Sequence, residues 1–524
     1  MKADNELVLA LDCGTQSLRA LLFSKQGTLE AKEKIEYIPY VSEYPGWAEQ
    51  DPLVWWGALV QGCNRLHEKH PDLWKQVSAV AVTTQRDSMI CLDAGGNPLR
   101  PAILWMDARK APCPYIPKAL MNLTYKAIGM EEAILHTQEA AACNWIRKYQ
   151  PETWHDTAQF SQVSGYLNYK LTHNHVDSVA SQIGHIPFDY KKQQWAHQGH
   201  LNTMMFPVEP EKLPHLVAPG TIMGKITKEA AKQTGLPEGL PVVAAGSDKG
   251  CETLGSGVID ESVASLSFGT TATVQTTTRR YVEPLRFMPA YPAVLSGHFN
   301  PEVEIFRGYW MISWFKNQFA YKEVTEAEQK GISAERMLDS LLEQTPCGSF
   351  GLMMQPYWTA GLKQPSAKGA IIGFADVHER AHVYRSIIEG LAYGLREGLE
   401  MIIKATKVPV KTLRVSGGAS QSDMICQISA DVMRIPIERG STFEASGLGA
   451  AMCAATAVGW YPSIGEAVRG MSGSMDTFTP IPSNADLYER LYQNVYKRMY
   501  RSLAPLYEEI RKITGYPERP GADR

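Results

Sequence analysis

The sequence has no Gly-x-x-x-x-Gly-Lys-Ser/Thr loop and no Gly-x-Gly-x-x-Gly fingerprint in its 524 residues. Neither common Gly-rich phosphate cradle is present, so any phosphate site must be assembled differently. Paired cysteine motifs are missing too. Nine cysteines, at 13, 63, 91, 113, 143, 251, 347, 426 and 453, are scattered and odd in number, with no Cys-x-x-Cys and no histidine at zinc-finger spacing. That argues against a disulfide framework or structural zinc and points to a reducing, cytoplasmic setting. No stretch approaches the roughly 18 uninterrupted apolar residues of a membrane span. The start, Met1-Lys-Ala-Asp-Asn-Glu6, carries acids where a secretory signal has a basic, then apolar, segment. The expectation is no membrane association. Charge of one sign is also lacking: 52 Lys+Arg against 55 Asp+Glu leave −3, without long single-sign blocks, which removes the footprint of a nucleic-acid binder.

What remains is an ordinary folded composition, 44% hydrophobic and 20% charged with 42 Gly and 32 Pro, neither disordered nor fibrous. The length predicts two to four domains at roughly 100–200 residues each. Leu7-Val-Leu-Ala-Leu11, a turn at Asp12-Cys-Gly-Thr-Gln-Ser17 and the run Leu18 to Phe23 read as a β-hairpin. The same grammar returns at Val263–Phe268, Gly269-Thr-Thr271 and Ala272–Thr277, with the two Gly-Thr steps 255 positions apart, so the chain reads as two halves of similar plan. Buried strands are expected at Val77–Thr83, Pro241–Gly246 and Thr412–Val415. Helices are expected around Leu53–Leu66, Glu132–Tyr149, Phe160–Leu171 and from about Ala485 to Ile513. A proline-rich loop is expected at Pro207–Pro219. Val383, Ile387, Leu391, Leu395 and Leu399 form one helical stripe that must cover something apolar, such as a sheet. Strands alternating with helices in both halves indicate an α/β fold.

Several clusters could carry chemistry, and each has a plainer reading. Asp12 with Gly14, Thr15, Gln16 and Ser17 offers a carboxylate, hydroxyls and turn N–H groups, suited to a phosphate and its Mg²⁺. It could also be a simple Asp-x-Gly turn. The repeat at Gly269-Thr270-Thr271 tips the balance toward phosphate, since two such loops can grip a polyphosphate from both sides. Arg19 could add a phosphate contact or be a surface arginine. Asp248, in Gly246-Ser-Asp-Lys249, follows a buried strand. It is either a helix N-cap or a general base at the strand end, where α/β proteins place catalytic groups. Gln85-Arg86-Asp87 and Trp105-Met-Asp107-Ala-Arg109 gather planar donors, carboxylates and an indole, a combination that binds sugars but also occurs as surface ion pairs beside a core tryptophan. Ser416-Gly417-Gly418-Ala419 and Glu444-Ala-Ser-Gly447-Leu-Gly449 could let backbone approach a flat ring. His173 and His175 read as surface histidines, and Lys191-Lys-Gln-Gln-Trp195 as a solvated face.

Taken together, the chain resembles the FGGY carbohydrate kinases, which include xylulokinases, glycerol kinases and related ketose and polyol kinases. The resemblance rests on Leu11-Asp-Cys-Gly-Thr15 with Arg19, Gly46-Trp-Ala-Glu-Gln-Asp-Pro52, Gln85-Arg-Asp87, Trp105-x-Asp-x-Arg109, Asp177-Ser-Val-Ala-Ser181, Gly246-Ser-Asp248, Gly269-Thr-Thr271, Gln355-Pro-Tyr357, Gly417-Gly418 and Glu444-Ala-x-x-x-Gly449-Ala-Ala, in the family's order. It implies two actin-like, ribonuclease H-type domains with the active site in the cleft between them. Residues 1–255 would bind sugar and carry the catalytic base, and 256–524 would bind ATP and end in a C-terminal helix. It implies further that Asp248 is the general base and Asp12 helps hold Mg²⁺. Thr15, Gln16, Ser17 and Arg19 would meet the transferred phosphate, and Gly269 with Thr270 the nucleotide phosphates. Gly417, Gly418, Ala419 and Glu444 would line the adenine and ribose pocket. Gln85, Arg86, Asp87, Trp105 and Asp107 would bind the sugar. Dimers are common in the family.

The resemblance has departures. Gln85-Arg86-Asp87 looks more like the Gln-Arg-Glu of glycerol kinases than the Gln-Met-His of xylulokinases, yet the rest of the glycerol-kinase substrate pattern is missing. Lys249 stands where many relatives have Gln or Asn; it could touch an acidic substituent or lower the pKa of Asp248. The leading expectation is an ATP- and Mg²⁺-dependent kinase for a primary hydroxyl of a small ketose or polyol, a pentulose such as xylulose first. A glycerol or short-polyol kinase is the alternative. From another class, an actin-like nucleotide switch or a sugar sensor without turnover would share the scaffold.

Overall fold

Leu7–Cys13 is buried along its whole length, the continuous apolar pattern of a strand covered on both faces. It is the centre of a sheet whose order is Leu29–Glu36, Ser17–Ser24, Leu7–Cys13, Val77–Thr84, Pro241–Ser247, Ile222–Lys225. The first three strands are antiparallel, the next two steps are parallel and the last is antiparallel. A second sheet runs Glu302–Ile305, Ala272–Thr276, Val263–Phe268, Thr412–Ser416, Ile437–Gly440, Met475–Phe478 with the same sequence of pairings. The repeated hairpin grammar therefore marks a duplicated sheet, and the α/β expectation holds. The computed structural model describes residues 6–112, 131–286, 288–332, 334–358, 367–473 and 475–516. Met1 to Asn5 and Cys113 lie outside the described residues.

Each sheet has its own helical cover. Pro52–Lys69 packs on the Ser17–Ser24 and Leu29–Glu36 strands of the first. The stripe of Ile387, Leu391, Leu395 and Leu399 lies on Arg380–Thr406, which covers the strands of the second. Two further helices tie the domains together. Asp248–Gly255 leaves the first sheet, and Ala445–Ala457, although it follows the Ile437–Gly440 strand of the second, packs on Leu7–Cys13, Val77–Thr84 and Pro241–Ser247 of the first. One core results, in which Val8, Ala10, Phe23 and Val243 meet Leu448, Met452 and Ala455. The two helices cross backbone to backbone: a Cβ on Gly255 would meet the Ala445 carbonyl oxygen at 2.0 Å, and one on Gly449 the Cys251 carbonyl oxygen at 2.0 Å.

Local expectations needed correction in several places. The helix expected over Glu132–Tyr149 is two, Glu131–Ala140 and Ala142–Tyr149, separated at Ala141, whose extended backbone turns the chain. The start of Phe160–Leu171 is a strand, Gln159–Gln162, paired with Met89–Leu92; the helix is Val163–Thr172. The proline-rich stretch contains the short strand His215–Val217, which pairs with Val176–Ser178. The C-terminal helix is Pro482–Leu491 and Lys497–Thr514 joined by a π-turn at Tyr492–Tyr496, where Tyr488, Tyr492 and Tyr496 all rest on Tyr393. The eight described cysteines are free thiols.

The helix crossing gives the first prediction. Gly449→Val overpacks a backbone contact, at a cost of roughly 1–3 kcal/mol. A melting temperature lowered by several degrees in calorimetry is expected, and an unchanged one would mean the helices can separate freely.

Candidate active site

Three strands of the first sheet deliver side chains to one edge. Cys13 and Thr84 are register partners, as are Ser247 and Thr84, so Asp12, Gln85 and Asp248 leave the sheet side by side. Asp12 is buried and accepts from Arg19 Nη1 at 3.0 Å. Arg19 also faces Glu444 at 3.5 Å, and Lys32 reaches the same glutamate at 3.3 Å. Burial first, then the charges of Asp248 and Glu444, push the Asp12 carboxyl up to about 6 despite Arg19. Two carboxylates that feel each other's charge are thus held together, short of positive compensation.

Asp248 is not the helix cap. Ser247 takes that place, its hydroxyl accepting from Gly250 N at 3.3 Å. Asp248 therefore occupies the first helical position, with one oxygen accepting from Lys249 N at 2.8 Å; among the described residues no protein group bonds the other. Burial raises its pKa, against the pull of Lys249 and Arg86. Lys249 does lower Asp248, as one reading anticipated, but desolvation outweighs it. The Lys249 ammonium itself is shared by Glu252 Oε2 at 2.8 Å and Ser267 Oγ at 2.6 Å, and Ser267 and Ser416 both donate to Glu252 Oε1, at 2.9 and 2.7 Å. These bonds cross from the helix of Asp248 to the second sheet.

The loops of the second sheet complete the cleft. Gly269 and Thr270 follow Val263–Phe268; Gly417, Gly418 and Ala419 follow Thr412–Ser416. Gly417 has φ 88°, and a Cβ there would meet the Phe268 carbonyl carbon at 2.8 Å, so the loops touch through backbone that only glycine permits. Thr270, Gly418 and Gln16 are exposed, whereas Ser17 is buried. On the first domain, Trp105 Nε1 donates to Thr15 Oγ1 at 3.1 Å, and Thr15 donates to Gln85 Oε1 at 3.1 Å. Trp105 stays 39% exposed. Gln85 Nε2 is buried with no protein partner, a donor available to a bound oxygen.

Other expected site residues are engaged internally. The Asp107 side chain is buried and accepts from Ala48 N at 2.6 Å and twice from the Arg109 guanidinium at 2.8 Å. Arg109 is packed between Trp47 and Trp145, so this pair braces the fold and presents nothing free to a sugar. Asp87 sits at φ 55° and is held by His185, accepting from its backbone N at 2.9 Å and pairing with Nδ1 at 2.7 Å. Arg86 reaches across the cleft to Glu302 at 2.5 Å. His185, Glu252, Tyr291, Glu302 and Glu304 were missed in the sequence reading. Glu302-x-Glu304 on an otherwise apolar strand was an available signal. His175 is half-buried beside Ser161 rather than a surface residue, and burial pushes it down to about 4. His173 is exposed, as are Lys191 and Lys192, but Trp195 packs on Phe188.

Among the described residues no group of three or more His, Cys, Asp or Glu forms a cation cage. Asp12 and Asp248 are the carboxylate pair at hand. That set fits Mg²⁺, which is commonly held by one or two carboxylates, with the remaining positions left to water and substrate phosphates.

The FGGY family of carbohydrate kinases matches in both parts: its N-terminal domain over residues 7–255 and its C-terminal domain over residues 264–458. The chain belongs to this family. It is a carbohydrate kinase, a phosphotransferase acting on a sugar. It is similar to a xylulose kinase of Lactococcus lactis, 27% identical over 96% of this chain and 98% of that protein. It is also similar to a gluconokinase of Bacillus licheniformis, 26% identical over 96% of this chain and 97% of that protein. The ligand-bound xylulose kinase structure from Lactobacillus acidophilus superposes with a TM-score of 0.78 at 21% identity, covering 98% of this chain and 99% of that one, which confirms the two-domain fold. No helix among the described residues is long and apolar enough to cross a membrane.

The Asp87 pair is testable. Burial alone would lower His185, but the charge and hydrogen bond of Asp87 outweigh it and leave it above its ordinary 6.5. The pair's stabilisation is therefore full below pH 6.5 and is lost as pH rises through the raised folded-state value. In Asp87→Asn, NMR titration should find His185 below 6.5 and this pH dependence of stability gone. An unshifted His185 would show that the contact carries no charge.

Proposed function

We propose that this carbohydrate kinase uses ATP with Mg²⁺ to phosphorylate a primary hydroxyl of a small ketose or polyol, a pentulose such as xylulose first. The observation that carries the reading is the uncapped Asp248 carboxylate: Ser247 caps the helix in its stead, leaving a half-buried carboxylate of raised pKa, one oxygen of which has no partner among the described residues, beside Asp12. A group so placed can accept the proton of the attacking hydroxyl. Phosphoryl transfer then depends on positioning and charge neutralisation more than on covalent help.

The roles follow from position. Asp248 orients the hydroxyl and takes its proton. Asp12, steadied by Arg19, would hold Mg²⁺, which when bound screens the polyphosphate charge. Thr15, Gln16 and Arg19 contact the transferred phosphate. Gly269 and Thr270 give backbone N–H groups to the nucleotide phosphates, and Gly417, Gly418 and Ala419 form the edge against which adenosine rests. Glu444 acts at a distance by pairing Arg19 and Lys32. Trp105 offers a face for sugar carbons, and Gln85 Nε2 a donor for a sugar or phosphate oxygen. The xylulose kinases among the relatives favour a pentulose; Arg86-Asp87 keeps a short polyol such as glycerol as the second reading. A homodimer and a cytoplasmic location belong to the same proposal.

Two outcomes are expected. An ADP-release assay with Mg-ATP should give one strong acceptor among xylulose, ribulose, erythritol and glycerol. ATP binding without acceptor-dependent release would instead favour the switch or sensor. Asp248→Asn should fold and bind both substrates but lose about 10³-fold or more in kcat. Retained turnover would remove Asp248 from the mechanism.

A further inference from the structure

Arg86 is the central residue of the Gln85-Arg86-Asp87 triplet, but its charge is already spent. Its Nη2 lies 2.5 Å from Glu302 Oε1 and 3.8 Å from Glu304 Oε2, and its guanidinium rests on the Tyr291 ring, 4.9 Å from the centroid. Both glutamates belong to the edge strand of the second sheet, two residues apart and so on one face. Glu302 has no exposed surface, and its other oxygen accepts from Gln275 Nε2. Gln275 is in turn fixed by Thr253 Oγ1 at 2.6 Å. Glu304 keeps some exposure and has no hydrogen bond from a described side chain.

On the side of Asp248 that faces the second sheet, two cations, Arg86 and Lys249, stand among four carboxylates, Asp248 itself, Glu252, Glu302 and Glu304. Burial first, then the neighbouring Glu302, push the Glu304 carboxyl up despite Arg86 and Lys249. An added anion here would meet carboxylates already short of compensation, and like charges brought together in a desolvated site repel strongly. A neutral hydroxyl has no such conflict: it can donate to Glu304 and accept from the exposed edge of Arg86.

We propose that Glu302 and Glu304 are specificity-determining residues, which cross from the second domain to neutralise Arg86 and so restrict the acceptor to uncharged polyols and ketoses, excluding sugar acids. The inference rests on the sugar-kinase reading of the cleft and adds the charge class of the acceptor. It places the discrimination between neutral sugars and sugar acids in residues outside the Gln85-Arg86-Asp87 triplet. Because the carboxylates and the guanidinium come from different domains, this selectivity exists only when the domains are in contact.

The test compares wild type, Glu304→Gln and Glu302→Gln, using kcat/KM for xylulose, ribulose and gluconate with Mg-ATP, and calorimetric binding of gluconate. Wild type should prefer a neutral sugar and bind no gluconate. Glu304→Gln, the milder change because Glu304 is less buried, should move the gluconate-to-neutral ratio at least about 10-fold toward gluconate, mainly through KM. Glu302→Gln should move it the same way. If neutral sugars turn over but the ratio in Glu304→Gln equals that of wild type, the inference fails alone. If wild type turns over no neutral sugar in the panel, the acceptor assignment fails, and gluconate binding that appears only in the variants still supports the charge filter. Gluconate bound or phosphorylated by wild type as well as the neutral sugars would overturn it.

Discussion

The geometry of the candidate site depends on one contact, the crossing of Asp248–Gly255 with Ala445–Ala457. Gly255 and Gly449 bring two backbones together with no room for a side chain. The first helix begins at Asp248 and the second just after Glu444. Their crossing therefore brings the proposed base, and the glutamate that pairs Arg19, to the edge where Asp12 leaves its sheet. It also buries the second of these helices against the sheet of the other domain, so the join between the domains is part of a hydrophobic core.

Charge organises the rest of the cleft. Asp12 and Asp248 remain under-compensated, which suits a divalent cation and a migrating proton. Lys249 and Arg86, which stand beside them, are claimed by Glu252 and Glu302. Positive charge thus sits close to the proposed base without being free to bind an anion of its own. Three of these links, Lys249 to Ser267, Ser416 to Glu252 and Arg86 to Glu302, span the two domains. Separation of the domains would break all three, so the arrangement of the cleft depends on the contact between the domains.

Much of this was legible in the sequence, and for identifiable reasons. The central strands are unbroken apolar runs, and the duplicated hairpin with its Gly-Thr turn announced two similar sheets. Asp12, Asp248, Gly269 and Gly417 lie where the residues following those strands must lie. Legibility ended where partners are distant in the chain. Arg86 and Glu302 are 216 positions apart, so the triplet looked like a free cation beside a carboxylate when both were already paired. Asp107 illustrates the local counterpart: two residues before Arg109, it is consumed by that neighbour, which the spacing alone allowed but did not require. The cap reading of Asp248 is excluded by Ser247, whose hydroxyl accepts from Gly250 N and leaves the carboxylate uncapped. Helix ends were the least legible, because the break at Ala141 and the π-turn at Tyr492–Tyr496 have no period of their own.

The most direct test is a crystal structure with the acceptor sugar, Mg²⁺ and a non-hydrolysable ATP analogue. The account predicts a sugar hydroxyl within hydrogen-bond distance of the free Asp248 oxygen, with the cation on the Asp12 side and the terminal phosphate between the Gly14–Gln16 and Gly269–Thr270 turns. A sugar hydroxyl directed at another base, with Asp248 still idle, would contradict it.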